Sequence, residues 1–293
     1  YAACYLGALR FVAGQEKVDI PADAAVAADV GLGQIPGGFG LDVELTVHIP
    51  GMDKAKAEDL VAGGADLLDV GGVKAGPGEP VSLTEELDRV VPAIEALRAR
   101  FDVPLSVDTW RAQVAAACFE AGAVVGNDIS GFADPDYLGV CARAGATVVA
   151  THIRLAPRVP DPSPHYDDVV ATVRGFLADR AAQARAGGLP AERIIVDAGL
   201  DLGKTEADSL LLLRSSDDLA SLGYPLLLSA SNKRFLWHHL DVDVTSAQEG
   251  TLAAHALGIV HGCRVLRAHD VRSARRVADV LAAVLEARSG VLA

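Results

Sequence analysis

Short apolar runs that end on a polar residue recur along the chain: VELTVH at 43–48, DLLDVG at 66–71, VPLSVD at 103–108, AVVGN at 123–127, TVVATH at 147–152, RIIVD at 193–197, PLLLS at 225–229 and RVLRAH at 264–269. Runs of this length, rich in β-branched and aliphatic residues, predict parallel strands of a sheet covered on both faces. Between them the apolar spacing lengthens to the 3.6-residue period of helices, at 83–100, 110–120, 166–186 and 249–261. Gly64, Gly122, Gly145, Gly187, Gly223 and Gly262 fall where a helix should stop before the next strand, a position that favours the left-handed conformation. Eight strands alternating with helices, and no linker of changed composition, predict an α/β fold, a single (β/α)8 TIM barrel. A doubly wound open sheet would require a GxGxxG turn after an early strand, and the sequence has none. Residues 1–42, rich in Gly, Ala and Asp, do not share this rhythm and read as an N-terminal hairpin or irregular extension capping the barrel floor, with the barrel itself over 43–293.

Composition narrows the picture. With 293 residues, 51% of them hydrophobic, the chain can bury one large core. Cys4, Cys118, Cys141 and Cys263 lie far apart, with no CxxC or Cys/His cluster, which argues against a zinc site or a disulfide framework and for a reducing compartment. No apolar run reaches the roughly 18 residues of a membrane span, and the first residues lack a basic region followed by an apolar one, so a cytoplasmic location away from membranes is expected. A net charge of -13 speaks against nucleic acid as a partner, because phosphate backbones are held mainly by Lys and Arg. An anionic small ligand would need a local basic pocket. A homodimer is expected.

The polar residues that end the strands are His48, Asp69, Asp108, Asn127 with Asp128, His152, Asp197, Lys233 just past Ser229, and Arg267 with His269. In a barrel they share one mouth. An aspartate after a strand commonly serves only a turn or a helix cap, and Lys233 beside Arg234 reads equally well as a surface lysine. Their concentration at the C-terminal strand ends is what points to chemistry, since that face of a barrel carries its active site. His152 reads as a satisfied core histidine, and Cys263 and Trp110 as packing residues.

Several motifs now fall in one order: DVGG at 69–72, a Pro-Gly loop, TEELDRVVPAIEAL, SVDT at 106–109, GND at 126–128, HYDDVV around Tyr166 and Asp167, DAGLDLGK at 197–204, SNK at 231–233 and RAHD at 267–270. From about Asp66 to Ala283 the chain resembles the dihydropteroate synthases. The resemblance implies a transferase of folate biosynthesis that joins the amine of p-aminobenzoate to the methylene of a dihydropterin pyrophosphate, with magnesium accompanying the substrate pyrophosphate and no protein metal ligand identified. By matched motif, Asp69, Asp108, Asn127, Asp197, Lys233 and Arg267 are expected to bind substrate, and Lys233, Arg267 and His269 to act in catalysis. A carboxylate and an amide can together satisfy the donor and acceptor edge of an aminopyrimidinone, and a guanidinium can hold phosphate oxygens bidentately.

The chain also departs from the family. The first-strand motif Asn-x-Thr-x-Asp-Ser-Phe is absent: the sequence runs VHIPGMDKAKAEDL, with His48 or Val47 at the asparagine position and Gly64 arriving too soon for a long loop plus a helix. The second-loop Gly-Gly-Glu-Ser-Thr-Arg-Pro-Gly is replaced by GGVKAGPG, where Lys74 is the available cation. Asn232 replaces an arginine and Ala198 a proline. These changes bear on phosphate handling, loop closure and the p-aminobenzoate end and leave the pterin end nearly intact. The alternative to a synthase is therefore a pterin-binding paralogue with little or no turnover. A pterin-dependent methyltransferase on the same barrel is the weaker third reading, since SNK and RAHD have no use in a substrate without pyrophosphate.

Overall fold

The computed structural model describes the backbone of residues 25–35, 38–48 and 61–288 and the side chains of 61–285. Most of the expected N-terminal extension and the segment 49–60, read above as the shortened first loop with the start of its helix, lie outside the described residues. Seven strands run parallel in sequence order: β3 (Leu68–Gly71), β4 (Leu105–Asp108), β5 (Val125–Asp128), β6 (Thr147–Thr151), β7 (Ile194–Asp197), β8 (Leu226–Ser229) and β9 (Cys263–Arg267). They are preceded by an antiparallel pair, β1 (Ala25–Ile35) and β2 (Gly38–His48), in which β1 also pairs antiparallel with β3. β2 therefore runs in the sense of the seven, and the sheet curls until β2 lies alongside β9.

Two features of this sheet differ from the expectation. The first strand begins at Gly38 rather than at 43, and β1 separates it from β3. The reason is visible in β2, where Phe39, Leu41, Val43, Leu45 and Val47 alternate strictly with Gly40, Asp42, Glu44, Thr46 and His48. That is the pattern of a hairpin strand rather than of one covered on both faces. The register sets Val26, Ala28, Val30 and Leu32 of β1 opposite Val47, Leu45, Val43 and Leu41 of β2, apolar against apolar.

The helices follow the strands as α1 (Leu83–Arg98), α2 (Ala112–Ala121), α3 (Tyr137–Ala144), α4 (Val169–Ala186), α5 (Glu206–Arg214), α6 (Ser216–Ala220), α7 (Arg234–His239), α8 (Gln248–Val260) and α9 (Val271–Arg288). Local chemistry sets their starts. Ser82 accepts from the Glu85 N–H, Asp168 from that of Ala171, and Thr205 and Asp208 form a reciprocal capping box. The Asp168 cap explains why α4 begins at Val169 and not at 166. Of the six glycine stops, five have positive φ, whereas Gly187 has φ -74° and hands the left-handed turn to Gly188. Two apolar clusters fill the space between sheet and helices. One centres on Ile94, Val107, Cys118 and Tyr137 under α1–α3, and the other on Leu177, Leu212, Leu226 and Phe235 under α4–α8. Both lie beneath strands whose C-terminal residues are left to carry polar groups.

Candidate active site

Asp69 is the second residue of β3, Asn127 the third of β5, and Asp108 and Asp197 are the last of β4 and β7, and the parallel sheet sets these strands side by side. Asn127 Nδ2 donates to Asp69 Oδ2 at 2.8 Å. Arg267, the last residue of β9, donates from Nη2 to Asp108 Oδ2 at 3.2 Å and stands 3.7 Å from Asp69 Oδ2, which links side chains of β3, β4, β5 and β9. Its Nε is buried without a hydrogen-bond partner among the described residues. The guanidinium expected to clamp phosphate is thus held by the pocket carboxylates in this state, with one donor still unused.

Burial dominates the electrostatics. It pushes the Asp69 carboxyl up to about 7, helped by the charge of Asp108 and opposed by Arg267. Asp108 is raised by burial against the pull of Arg267 and Lys233, and Asp197 is raised by burial against the Gly199 N–H and Lys233. Close carboxyl groups that resist ionising together hold a proton between them near neutral pH. Burial lowers Lys233, and Asp201 is the acidic group that most opposes this. The site is therefore a partly dehydrated set of acids and bases whose charge a ligand can settle.

Asp197 accepts the Gly199 N–H at 2.8 Å through Oδ1, and Oδ2 makes no hydrogen bond among the described residues. Gly199 is fixed by space: its φ is +63° and a Cβ would lie 2.0 Å from the His152 carbonyl oxygen. Lys233 directly precedes α7, and the Phe235 N–H of that helix donates to Asp201 Oδ2 at 3.3 Å. His269 Nδ1 lies 2.8 Å from Ser231 Oγ, which also accepts the His269 N–H at 3.0 Å. Burial, with Arg267 and Lys233 nearby, drives His269 down to about 3, so it is a neutral imidazole at ordinary pH. His48 is the last residue of β2, and its side chain lies outside the described residues.

Other sequence-marked residues have structural work. Asp128 accepts the Ser130 and Phe132 N–H groups and shapes the β5–α3 turn. His152 is buried, edge-on to Phe176, and pushed down to about 3 by burial and Lys204. The Lys204 amine lies 2.9 Å from His152 Nδ1 and donates to Gly199 O at 2.8 Å, fastening the loop that presents Asp197. Asp201, Ser231 and Lys204 stood inside recognised motifs without a role; only the fold brings each to Lys233, His269 or Asp197. Beside them a cavity of about 400 Å³ is bordered by Asp161, Asp201, Lys204, Arg234 and His238. Sequence reasoning also missed the support beneath Asp108: buried Glu86 accepts from Thr109 Oγ1 at 2.6 Å and Arg111 Nη1 at 2.7 Å.

Comparison with known proteins gives the same neighbourhood three ways. The sequence pattern of the family described as "Pterin binding enzyme" matches residues 53–269. A Mycobacterium leprae protein named "Inactive dihydropteroate synthase 2" is 43% identical over 79% of this chain and 81% of its own, and the dihydropteroate synthase of a Synechocystis strain is 39% identical over 77% and 79%. The crystal structure of dihydropteroate synthase from Stenotrophomonas maltophilia, with imidazole bound in its active site, superposes with a TM-score of 0.75 at 39% identity, covering 79% of this chain and 86% of that one.

Proposed function

The chain belongs to the pterin binding enzyme family, among the dihydropteroate synthases, and on that footing we propose that it is a transferase of the synthase type, condensing a dihydropterin pyrophosphate with p-aminobenzoate. The observation that carries the reading is the linked set of buried Asp69 and Asn127 with half-buried Asp108 and Arg267, and buried Asp197 on the same strand ends. Such a slot suits a flat heterocycle with adjacent N–H donors and ring acceptors. Asp197 Oδ2 accepts from the pterin N–H groups, Asn127 and Asp108 read the neighbouring edge, and the Lys233 ammonium donates to a ring oxygen or nitrogen. Arg267 and His269 face the departing pyrophosphate, Arg267 exchanging a carboxylate for phosphate oxygens. The methylene C–O bond breaks with both electrons leaving on pyrophosphate, the amine nitrogen bonds to that carbon, and the nitrogen then loses a proton. Magnesium enters as the counterion of the pyrophosphate. Among the described residues no three His, Cys, Asp or Glu side chains form a cation site, so no step is assigned to a protein-held metal.

A second reading is favoured by two observations: the relative named as inactive, and the absence of both loop motifs. On it the chain is a paralogue that binds a pterin and turns it over poorly, because the second substrate is not held in line with the methylene. Titration with 6-hydroxymethylpterin and with its pyrophosphate, followed by a coupled pyrophosphate-release assay with p-aminobenzoate, separates the readings. Binding with turnover supports the synthase, binding without turnover the paralogue, and no binding of either pterin overturns both.

The same reading includes a closed barrel with β2 as its eighth parallel member, supported by the run of β2 alongside β9. It includes a cytoplasmic homodimer as well. Three buried free thiols, Cys118, Cys141 and Cys263, suit a reducing compartment, and no described helix is long and apolar enough to cross a membrane. Exposed Leu257 and Val260 on α8 and Val280 and Val284 on α9 offer the apolar face for a second copy.

A further inference from the structure

We propose that Arg158 is a positioning residue that pins the β3–α1 loop to the β6–α4 loop, so that the two form one fixed cover across the mouth of the site and slow the escape of a bound pterin. The β3–α1 loop starts immediately after Asp69 and Gly71 and runs to Ser82. Its carbonyl oxygens are held at several points. Arg89 Nη1 of α1 donates to Gly72 O at 2.8 Å, and Nη2 of Arg111, the residue just before α2, donates to Val81 O at 2.7 Å. The middle of the loop is held from elsewhere. Arg158 donates its backbone N–H to Ala75 O at 2.9 Å, Nη1 to Lys74 O at 3.3 Å and Nη2 to Glu79 O.

Arg158 belongs to the loop after β6, three strands away from β3 in the sheet order, so these bonds span the ends of β4 and β5, where Asp108 and Asn127 stand. The far side of that loop is anchored too. Tyr166 OH donates to Gly203 O at 2.7 Å, and the Arg154–Asp161 ion pair packs so closely on Gly203 that a Cβ there would meet Arg154 Cβ at 2.8 Å and Asp161 Oδ2 at 2.9 Å. Arg158 itself has φ +67°, a conformation uncommon for a residue with a side chain, so the pin is built against local preference. Lys74, the cation expected to replace a missing loop arginine, folds its side chain over Gly78 and gives the cover its carbonyl.

The test uses the full chain with Arg158→Gly, which accepts the left-handed backbone and keeps the Ala75 bond, so that only the guanidinium is lost. Arg158→Lys serves as the conservative variant. Hydrogen exchange of the residue-158 amide, which donates to Ala75 O, should quicken about tenfold in Arg158→Gly after correction for the intrinsic rate of each residue, with β4–β8 unchanged, and recover in part in Arg158→Lys. Stopped-flow fluorescence of 6-hydroxymethylpterin should show release about tenfold faster, again partly restored by lysine. Unchanged exchange of the residue-158 amide overturns the pin, and faster exchange with unchanged release overturns its role as a cover. The release arm rests on the pterin reading above and the exchange arm does not: a parent chain that binds no pterin sinks that reading and leaves exchange to decide the pin.

Discussion

In the proposed pocket Asp197 is the side chain on which pterin recognition should turn, because one of its oxygens is spent on the Gly199 N–H and the other makes no hydrogen bond among the described residues. Asp197→Asn retains an acceptor for Gly199 and removes the charge, so pterin affinity should fall by about 1.5 to 3 kcal/mol, measured by titration calorimetry, with the circular dichroism spectrum unchanged. Undiminished affinity would move the pocket elsewhere. Asp69 supports a pH test. Its carboxyl is raised from 3.8 to about 7 in the folded protein, so between these values the folded chain holds a proton that the unfolded chain has lost. That contribution to stability is complete at low pH and disappears as pH rises through about 7. Asp69→Asn cannot lose it, so its melting temperature relative to the parent should climb from pH 5 to pH 8; a constant or shrinking gap would show that Asp69 ionises freely. These acids were legible in the sequence because each stands as a lone charge within or at the end of an apolar run. Asp201 and Arg158 were not, since their partners are a helix N–H and backbone carbonyls far along the chain, which no spacing records.

The seven parallel strands could be read from sequence because burial on both faces leaves continuous apolar runs, and the structure trims those runs by only a few residues. The failures have local causes. The β1–β2 hairpin takes in the first expected strand, because β2 runs from Gly38 to His48, and α4 starts late because Asp168 caps it while Tyr166 is used to hold Gly203. The staple joining β4 to α1 and α2 was equally hidden, as Glu86 reads as an ordinary residue of a helix first turn and is in fact fully buried. It is held by Thr109 and by Arg111, whose side chain is 28% exposed. Arg111→Ala should therefore cost about 2 to 3 kcal/mol, less than a fully enclosed pair, by leaving the Glu86 carboxylate and the Val81 carbonyl without their donor. Chemical denaturation measures this, and adding Glu86→Gln should restore much of the loss. No recovery in the double variant would mean that packing of the Arg111 stem, rather than its charge, holds the helices together.

Pairing of two copies is the remaining question that the outer helices can answer. The site lies at the C-terminal ends of the strands, whereas Leu257, Val260, Val280 and Val284 lie on α8 and α9, which pack on each other outside the sheet. Val280 is 63% exposed and Val284, one helical turn later, is 57% exposed, as is Val260 on the neighbouring helix, so large apolar side chains stand in water on both outer helices. In a symmetric dimer each of these residues is used twice, and a charge placed there must be buried twice. Val280→Glu with Val284→Glu should therefore convert a dimer to a monomer in sedimentation equilibrium, since an unpaired carboxylate buried at an interface costs several kcal/mol. Pterin affinity should stay within about twofold of the parent, because neither valine touches the strand-end residues. A parent chain that sediments as a monomer, or a double variant that remains dimeric, would remove α8 and α9 as the contact.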